Sequence, residues 1–515
     1  MPFDSSKKII TAYDGAASAR EQVLVEGTAL LPGITGGAKI LHADARAEII
    51  SSEVQNDRLA VGGTVAFDIL YTGGEDKKAA GTKAQYTFSH ILEMKGAKPG
   101  MQVSVHPRVE TITADAGGSK ANLRAVLTLE ADAHSIRSEE VLQELSGAEF
   151  YSLQKNVSIC ERVGYGQARM LLEAETELPF AAQAEEIVFS SGNVRALNVT
   201  TYDDRLTIEG ELVIDAYYLI PLTDKPIAKS RHTFPFETQV AVDGLTAGRP
   251  ADVEVIFKDS ALNILEPAED APKSLRVEGV LTALAICEET VVVPVLEDAF
   301  STAKQTAILE KKVMPLKTGT FSQSGNDTVK ISLSLDEAMP KIGTMLAVFA
   351  RPIDYEIIPQ PKANAAGALE ITIVYMPDGG TFPVSARQEV PFEANFDFAV
   401  PENARTKITV RDADATQTAS DQVELRVQLV LSAKADIVEE TELVVSAEPA
   451  ANGLPEKSSI SIYFAREGDT MWSVAKQYLM PVDTLRKFNP ELDDRPDTGR
   501  LTAGQKAILY RKGIS

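Results

Sequence analysis

The chain has 515 residues, roughly enough for three or four cores of ordinary size, with 44% hydrophobic and 24% charged residues. That balance excludes a disordered chain, and a net charge of −23 argues against nucleic acid or an anionic membrane as partner. Two cysteines, Cys160 and Cys287, are too few for a disulfide framework and fit a reducing compartment. No apolar run is long enough to span a bilayer, and the opening MPFDSSKKIITAYDG lacks the apolar stretch of a signal peptide. The expectation is a protein that stays in the cytoplasm where it is made.

From the N-terminus the chain alternates with period two, as half-buried strands do. DRLAVGGTVAFDILY, Asp57 to Tyr71, returns 147 residues later as DRLTIEGELVIDAYY, Asp204 to Tyr218. The same offset aligns Leu31-Pro32 with Leu178-Pro179. A third copy, GALEITIVY from Gly367 to Tyr375, follows after a further 157 residues. Val65, Phe67, Ile69 and Tyr71 share one face of the first copy, so Tyr71, Tyr218 and Tyr375 are read as core residues and not as binding rungs. FYSLQK (Phe150–Lys155) and AFSTAKQ (Ala299–Gln305) occupy equivalent places and mark junctions. A short helix is expected near Glu139–Leu145.

These phases give three mainly antiparallel β units, sandwich- or barrel-like, over 1–150, 151–300 and 301–446. The Pro-, Gly- and Ala-rich stretch 447–458 reads as a linker with a reach of roughly 20 Å, letting the C-terminal tip sample the space around the third unit. Residues 458–515 hold nine Lys and Arg against seven Asp and Glu, which leaves −25 on the rest: an acidic arm with a slightly basic tip.

No catalytic constellation emerges. His42, His90, His106, His134 and His232 lack metal-ligand spacing, and phosphate-loop, dinucleotide-loop and nucleophile-elbow patterns are missing or incomplete. Neighbouring acids such as Glu139-Glu140, Asp203-Asp204, Glu288-Glu289 and Glu439-Glu440 point to opposite faces of a strand and cannot converge on one substrate. The expectation is a non-enzyme with no cofactor and no metal.

The tip, 459–515, reads strand–helix–helix–strand. Asp469 or Thr470 can cap the first helix, and Trp472, Ala475, Tyr478 and Leu479 form its apolar face. Asp483 can cap a second helix that carries Leu485 and Phe488 inward before Asn489-Pro490 ends it. Gly468-Asp469-Thr470-Met471-Trp472, Val474-Ala475, Tyr478, Leu485, Asn489-Pro490, Leu501 and Gly504-Gln505 resemble a LysM domain across the whole module. The resemblance implies a shallow groove for N-acetylglucosamine-containing glycans such as peptidoglycan, framed by Gly468, Asp469, Thr470, Met471, Asn489, Pro490, Glu491 and Leu492. Trp472 is expected to pack in the core. The charged loop ELDDRPDTGR and the closing Leu509-Tyr510 depart from the family pattern and shift the expectation towards a protein ligand.

The repeats are similar to SPOCS domains of spore-forming Firmicutes, and three followed by one LysM resemble the SipL-like spore-coat morphogenetic proteins of Clostridia. That resemblance implies a scaffold of spore coat assembly in the mother-cell cytoplasm, at the forespore surface. Its partners would be a coat-basement morphogenetic ATPase and other coat proteins; peptidoglycan binding is the alternative.

Overall fold

A computed structural model describes residues 3–511 apart from 35, 74–77, 148, 180–183, 221–222, 224, 267–271, 360, 453–457 and 493–499. Among the described residues the fold is β-sheet almost throughout, with two short helices near the C-terminus. The first six strands are β1 (Asp4–Leu30), β2 (Lys39–Gln55), β3 (Arg58–Gly73), β4 (Lys78–Glu93), β5 (Gln102–Gly117) and β6 (Lys120–Ser146). They pair antiparallel into two sheets, ordered β1-β6-β5 and β2-β3-β4. One apolar core, including Val65, Phe67, Ile69 and Tyr71 from β3 and Leu123, Leu127 and Leu129 from β6, lies between them.

The same pairing recurs twice. The second group runs β7 (Phe150–Glu177), β8 (Glu186–Tyr202), β9 (Arg205–Leu219), β10 (Ile227–Ala241), β11 (Ala251–Leu265) and β12 (Ser274–Ser301). The third runs β13 (Gln305–Ser334), β14 (Ile342–Ile358), β15 (Asn364–Pro377), β16 (Val384–Asn395), β17 (Arg405–Ala419) and β18 (Gln422–Ala451). Each group has its own core, with Tyr218 and Tyr375 buried as Tyr71 is.

Local chemistry explains the recurring residues. Asp57 and Asp204 sit at φ 55° and 59° in the turns into β3 and β9, a conformation that Asp tolerates better than most side chains. Their carboxylates accept hydrogen bonds from the Gly96 and Gly244 amides at 2.7 and 2.9 Å, fastening each hairpin to the next loop. Gly63, Gly210 and Gly367 stand directly across from Phe88, Phe236 and Phe392. At Gly63 and Gly210 a Cβ would collide with the facing ring, so the aromatic covers a place where no side chain fits. The buried tyrosines satisfy their hydroxyls: Tyr71 and Tyr375 donate to the Pro32 and Pro340 carbonyls at 2.7 Å, and Tyr218 lies 2.9 Å from His232 Nε2.

The three groups do not string out as an arm; they converge on shared cores. Strands β1, β6, β7, β12, β13 and β18 are 27 to 30 residues long and run past their own sandwiches as two-stranded ribbons. Ile10, Val141, Val157, Ile159, Val293, Val295, Met314, Leu316 and Leu443 from all three ribbons pack together. A second shared core joins Leu41, Leu70 and Ala79 to Val188, Phe189, Tyr217 and Ile227 and to Leu346, Ala347 and Val374. His42 is stacked on Phe349 at 3.8 Å beside it, and burial drives its pKa down to about 3, so the ring is neutral.

Residues Glu139–Leu145 form no helix. They belong to β6, because Ser5–Ile10 of β1 supply the ladder partners that local propensity could not anticipate. The expected linker also starts late: β18 continues to Ala451, paired with Gln305, so 447–451 are strand. Residues 453–457 of that linker lie outside the described residues.

A polar cluster crosses the ribbons. Lys317 of β13 lies 2.7 Å from Glu288 of β12 and 2.8 Å from Asp436 of β18, and Tyr13 of β1 donates to Asp436 at 2.9 Å. Burial would raise both carboxyls, but the hydrogen bonds from Lys317 outweigh it and hold them low; burial opposes the charge on Lys317, and its two acidic partners win. The carboxylate contribution to stability is therefore complete above their unfolded range, about pH 4, and is lost as pH falls through the depressed values. The lysine contribution is complete below about pH 10.4 and is lost as pH rises through the raised value. Lys317→Met is expected to cost about 3 kcal/mol, since it strands two partly buried carboxylates. Urea midpoints measured across the acid range should show the gap between parent and variant narrowing as pH falls, because protonation removes the parent's ion pairs and neutralises the variant's stranded carboxylates; a gap of constant size would count against the cluster.

Candidate functional site

The tip is built from β19 (Ser459–Phe464), α1 (Met471–Gln477), α2 (Val482–Phe488) and β20 (Lys506–Arg511), with β19 and β20 antiparallel. Gly468 supplies a left-handed turn at φ 91° ahead of α1. The Asp469 carboxylate accepts from the Tyr463 hydroxyl at 2.6 Å and the Arg466 amide at 2.7 Å, which fixes that turn to β19. Thr470 is the N-cap: its hydroxyl accepts from the Ser473 amide, and the Ser473 hydroxyl accepts from the Thr470 amide in return. Met471, Val474, Ala475, Met480, Leu485, Leu492, Leu501, Ala507 and Leu509 make the core.

Helix α2 departs from expectation at both ends. Pro481 is its N-cap with no side-chain cap, and Asp483 lies in the first turn, 3.7 Å from Arg486. Phe488 points outward, 45% exposed, with its ring 6.0 Å from Tyr510. The inward place beside Leu485 is taken by Asn489, fully buried. Its amide donates to the Leu485 carbonyl at 2.7 Å and the Ile508 carbonyl at 2.8 Å, while its oxygen accepts from the Ile508 amide. A polar side chain is stable there because its partners are all supplied by α2 and β20.

The eight candidate residues thus divide by exposure. Gly468, Pro490 and Glu491 are exposed, Asp469 and Thr470 are half-buried, and Met471, Asn489 and Leu492 are buried. Both turns are tied to the segment 500–505: the Leu501 amide donates to the Asp469 carbonyl at 2.7 Å, Thr470 bridges Arg500, and the Gln505 amide group reaches the Glu491 carbonyl at 3.4 Å. The result is a narrow edge of turn backbone with Glu491 as its open charge. Residues 493–499 of the charged loop lie outside the described residues.

The tip does not swing on a tether. Trp472 packs neither wholly inside it nor into solvent; its ring stands edge-on to Phe300 of β12, centroids 5.0 Å apart, and its Nε1 donates to Asp298 at 2.9 Å. Lys476, one turn on, forms an ion pair with the same carboxylate. Phe300 stacks in turn on Tyr151 of β7, 5.4 Å away. The outward face of α1 is therefore closed onto the second group through the aromatic pair at its strand junction. The Phe-Tyr and Ala-Phe junctions were visible in the sequence, but nothing in them named the tip as their partner.

Among the described residues no three His, Cys, Asp or Glu side chains gather as a metal site, and no helix is long and apolar enough to cross a membrane. Cys160 and Cys287 are free thiols. A family profile described as SipL, SPOCS domain matches residues 38–116 and 183–265, which hold β2–β5 and β8–β11. A LysM-domain profile matches residues 465–506. Searches of curated proteins and of solved structures returned no match. SPOCS and LysM domains together fit a sporulation-related adaptor that binds peptidoglycan.

Trp472, the only tryptophan in the chain, reports on the docking. Asp298→Ala should shift its fluorescence to longer wavelength as the ring meets water, with the unfolding midpoint of the sheets unchanged; an unshifted spectrum would mean that Asp298 does not hold the tip. Asn489→Ala should instead destabilise the tip itself by about 2 kcal/mol, because three backbone groups, the Leu485 carbonyl and the Ile508 carbonyl and amide, lose their side-chain partner, and hydrogen exchange in α2 and β20 would register it.

Proposed function

Because the chain joins SPOCS domains to a LysM domain, as SipL-like proteins do, we propose that it is a non-enzymatic adaptor of endospore envelope assembly. The three strand groups act as one acidic scaffold that presents its surface to other coat proteins. The tip anchors that scaffold to the morphogenetic ATPase of the coat basement layer, in the mother-cell cytoplasm at the forespore surface. The observation that carries this reading is the way the tip is held: the outward face of α1 is closed onto Asp298 and Phe300, while Gly468, Pro490 and Glu491 remain open on the far turns. A scaffold whose three groups share two apolar cores keeps that open edge in a set position. In sporulating cells a fluorescent fusion should encircle the forespore and become diffuse when 458–515 is removed; a label on the vegetative wall would overturn the reading.

The LysM match favours a second reading, in which the same edge holds peptidoglycan. Turn backbone at Gly468–Thr470 can bond sugar acetamides, and Glu491 can accept from sugar hydroxyls. Purified chain should then sediment with isolated wall. Pro490→Ala with Glu491→Lys should lower that binding about tenfold, as expected for losing one charge-assisted contact. Absence of the parent protein from the pellet would exclude this reading.

A further inference from the structure

Strands β19 and β20 pair as a two-stranded sheet with one face inside the tip and one outside. On the inner face Ala507 and Leu509 join the core of the tip, and the ring of Tyr463 meets that of Tyr478 at the end of α1. The opposite face is the one that a strand of this kind ordinarily gives to polar residues. Here it carries Ile460, Ile462 and Phe464 on β19 and Ile508 and Tyr510 on β20. Ile460 stands across from Tyr510 and Ile462 across from Ile508, so the five form one continuous block. Phe488 extends the block past Tyr510. The six residues are between 37% and 73% exposed.

The layers of the tip decide which way this block looks. The helices cover the inner face of the sheet, and α1 turns its other side, with Trp472 and Lys476, onto Asp298 and Phe300. Scaffold, helix and sheet are stacked in that order. The apolar block is therefore the outermost surface of the tip, turned away from the strand groups, and a second molecule can reach it without meeting the scaffold of the first.

At ~200 Å² for a whole large side chain, the six leave roughly 600 Å² of apolar surface bare on each copy. That is the upper end of what a monomer ordinarily shows to water. Two copies covering one another would bury about 1,200 Å², which reaches the size of a specific interface. The face offers no carboxylate, and Lys506, across from Phe464, is its one charged residue. It has little with which to select a charged partner, whereas its own copy matches it apolar side to apolar side.

We propose that the chain dimerises through this face, about a two-fold axis near the Ile462–Ile508 pair. The two sheets pack as the layers of a small sandwich, ~10 Å apart, with the two Lys506 side chains at opposite ends in water. Each dimer then carries two copies of the edge at Gly468–Thr470 and Pro490–Glu491, whatever ligand that edge takes. On a surface with repeated sites, two edges on one particle turn weak single contacts into lasting attachment.

Sedimentation of the full chain from about 1 to 200 µM should show its mass rising from one chain to two, with a midpoint on the order of 10 µM, as suits a small interface. Ile462→Lys should weaken the dimer about a hundredfold, because it sets two like charges against each other at the axis. Ile460→Ser, at the most exposed of the six positions, should weaken it about tenfold. Both variants should unfold in dilute solution at the parent's midpoint, which separates lost pairing from lost folding. A single-chain mass at every concentration would overturn the proposal. So would a dimer that both substitutions leave intact, since the contact would then lie elsewhere.

Discussion

Six strands run past the ends of their own sandwiches, and the apolar side chains on those extensions stay dry only against one another. A two-stranded ribbon cannot cover both its faces. Ile10, Ile159, Val295, Met314 and Leu443 therefore meet from three directions, and the ribbons become a common core. Once they meet there, the β2-β3-β4 sheet and its two counterparts are also brought face to face, so that Leu70, Tyr217 and Val374 bury what would be solvent-facing positions. The two shared cores turn three separate sandwiches into a single body. The polar cluster of Lys317, Glu288, Asp436 and Tyr13 ties β1, β12, β13 and β18 across the ribbons.

The position of the tip follows from the same ribbons. Their ends carry Tyr151 and Phe300, which need a cover, and Asp298, which needs a donor. Helix α1 supplies Trp472 and Lys476 one turn apart, on the face its own core does not use. A short helix that would be marginal alone gains burial from the scaffold, and the scaffold gains a lid for its aromatic junction.

The period-two runs, the repeated Asp-Arg-Leu start, the glycine and the tyrosine were legible because each has a local cause. Asp57 and Asp204 hold a left-handed turn, Gly63 and Gly210 lie under a facing ring, and Tyr71 and Tyr375 reach a carbonyl within their own group. The capping signal at Thr470 was equally plain, since its partner Ser473 is three residues away. Less legible was Asn489. As half of an Asn-Pro pair it reads as a turn at the groove, yet its side chain is consumed by Leu485 and Ile508. Only the folded β20 reveals the second of those partners.

By itself the sequence determined strand character, the recurring units and the cap of the first helix of the tip, because alternation, turn chemistry and capping act over a few residues. It also determined the excess of negative charge on everything but the tip. The tertiary structure alone decided that the units converge, that residues 447–451 extend a strand, and that Trp472 leaves its own domain to meet Phe300. Each of these depends on apolar or charged groups hundreds of residues apart finding the same dry contact. No local pattern encodes which of many exposed faces will be the one that is covered.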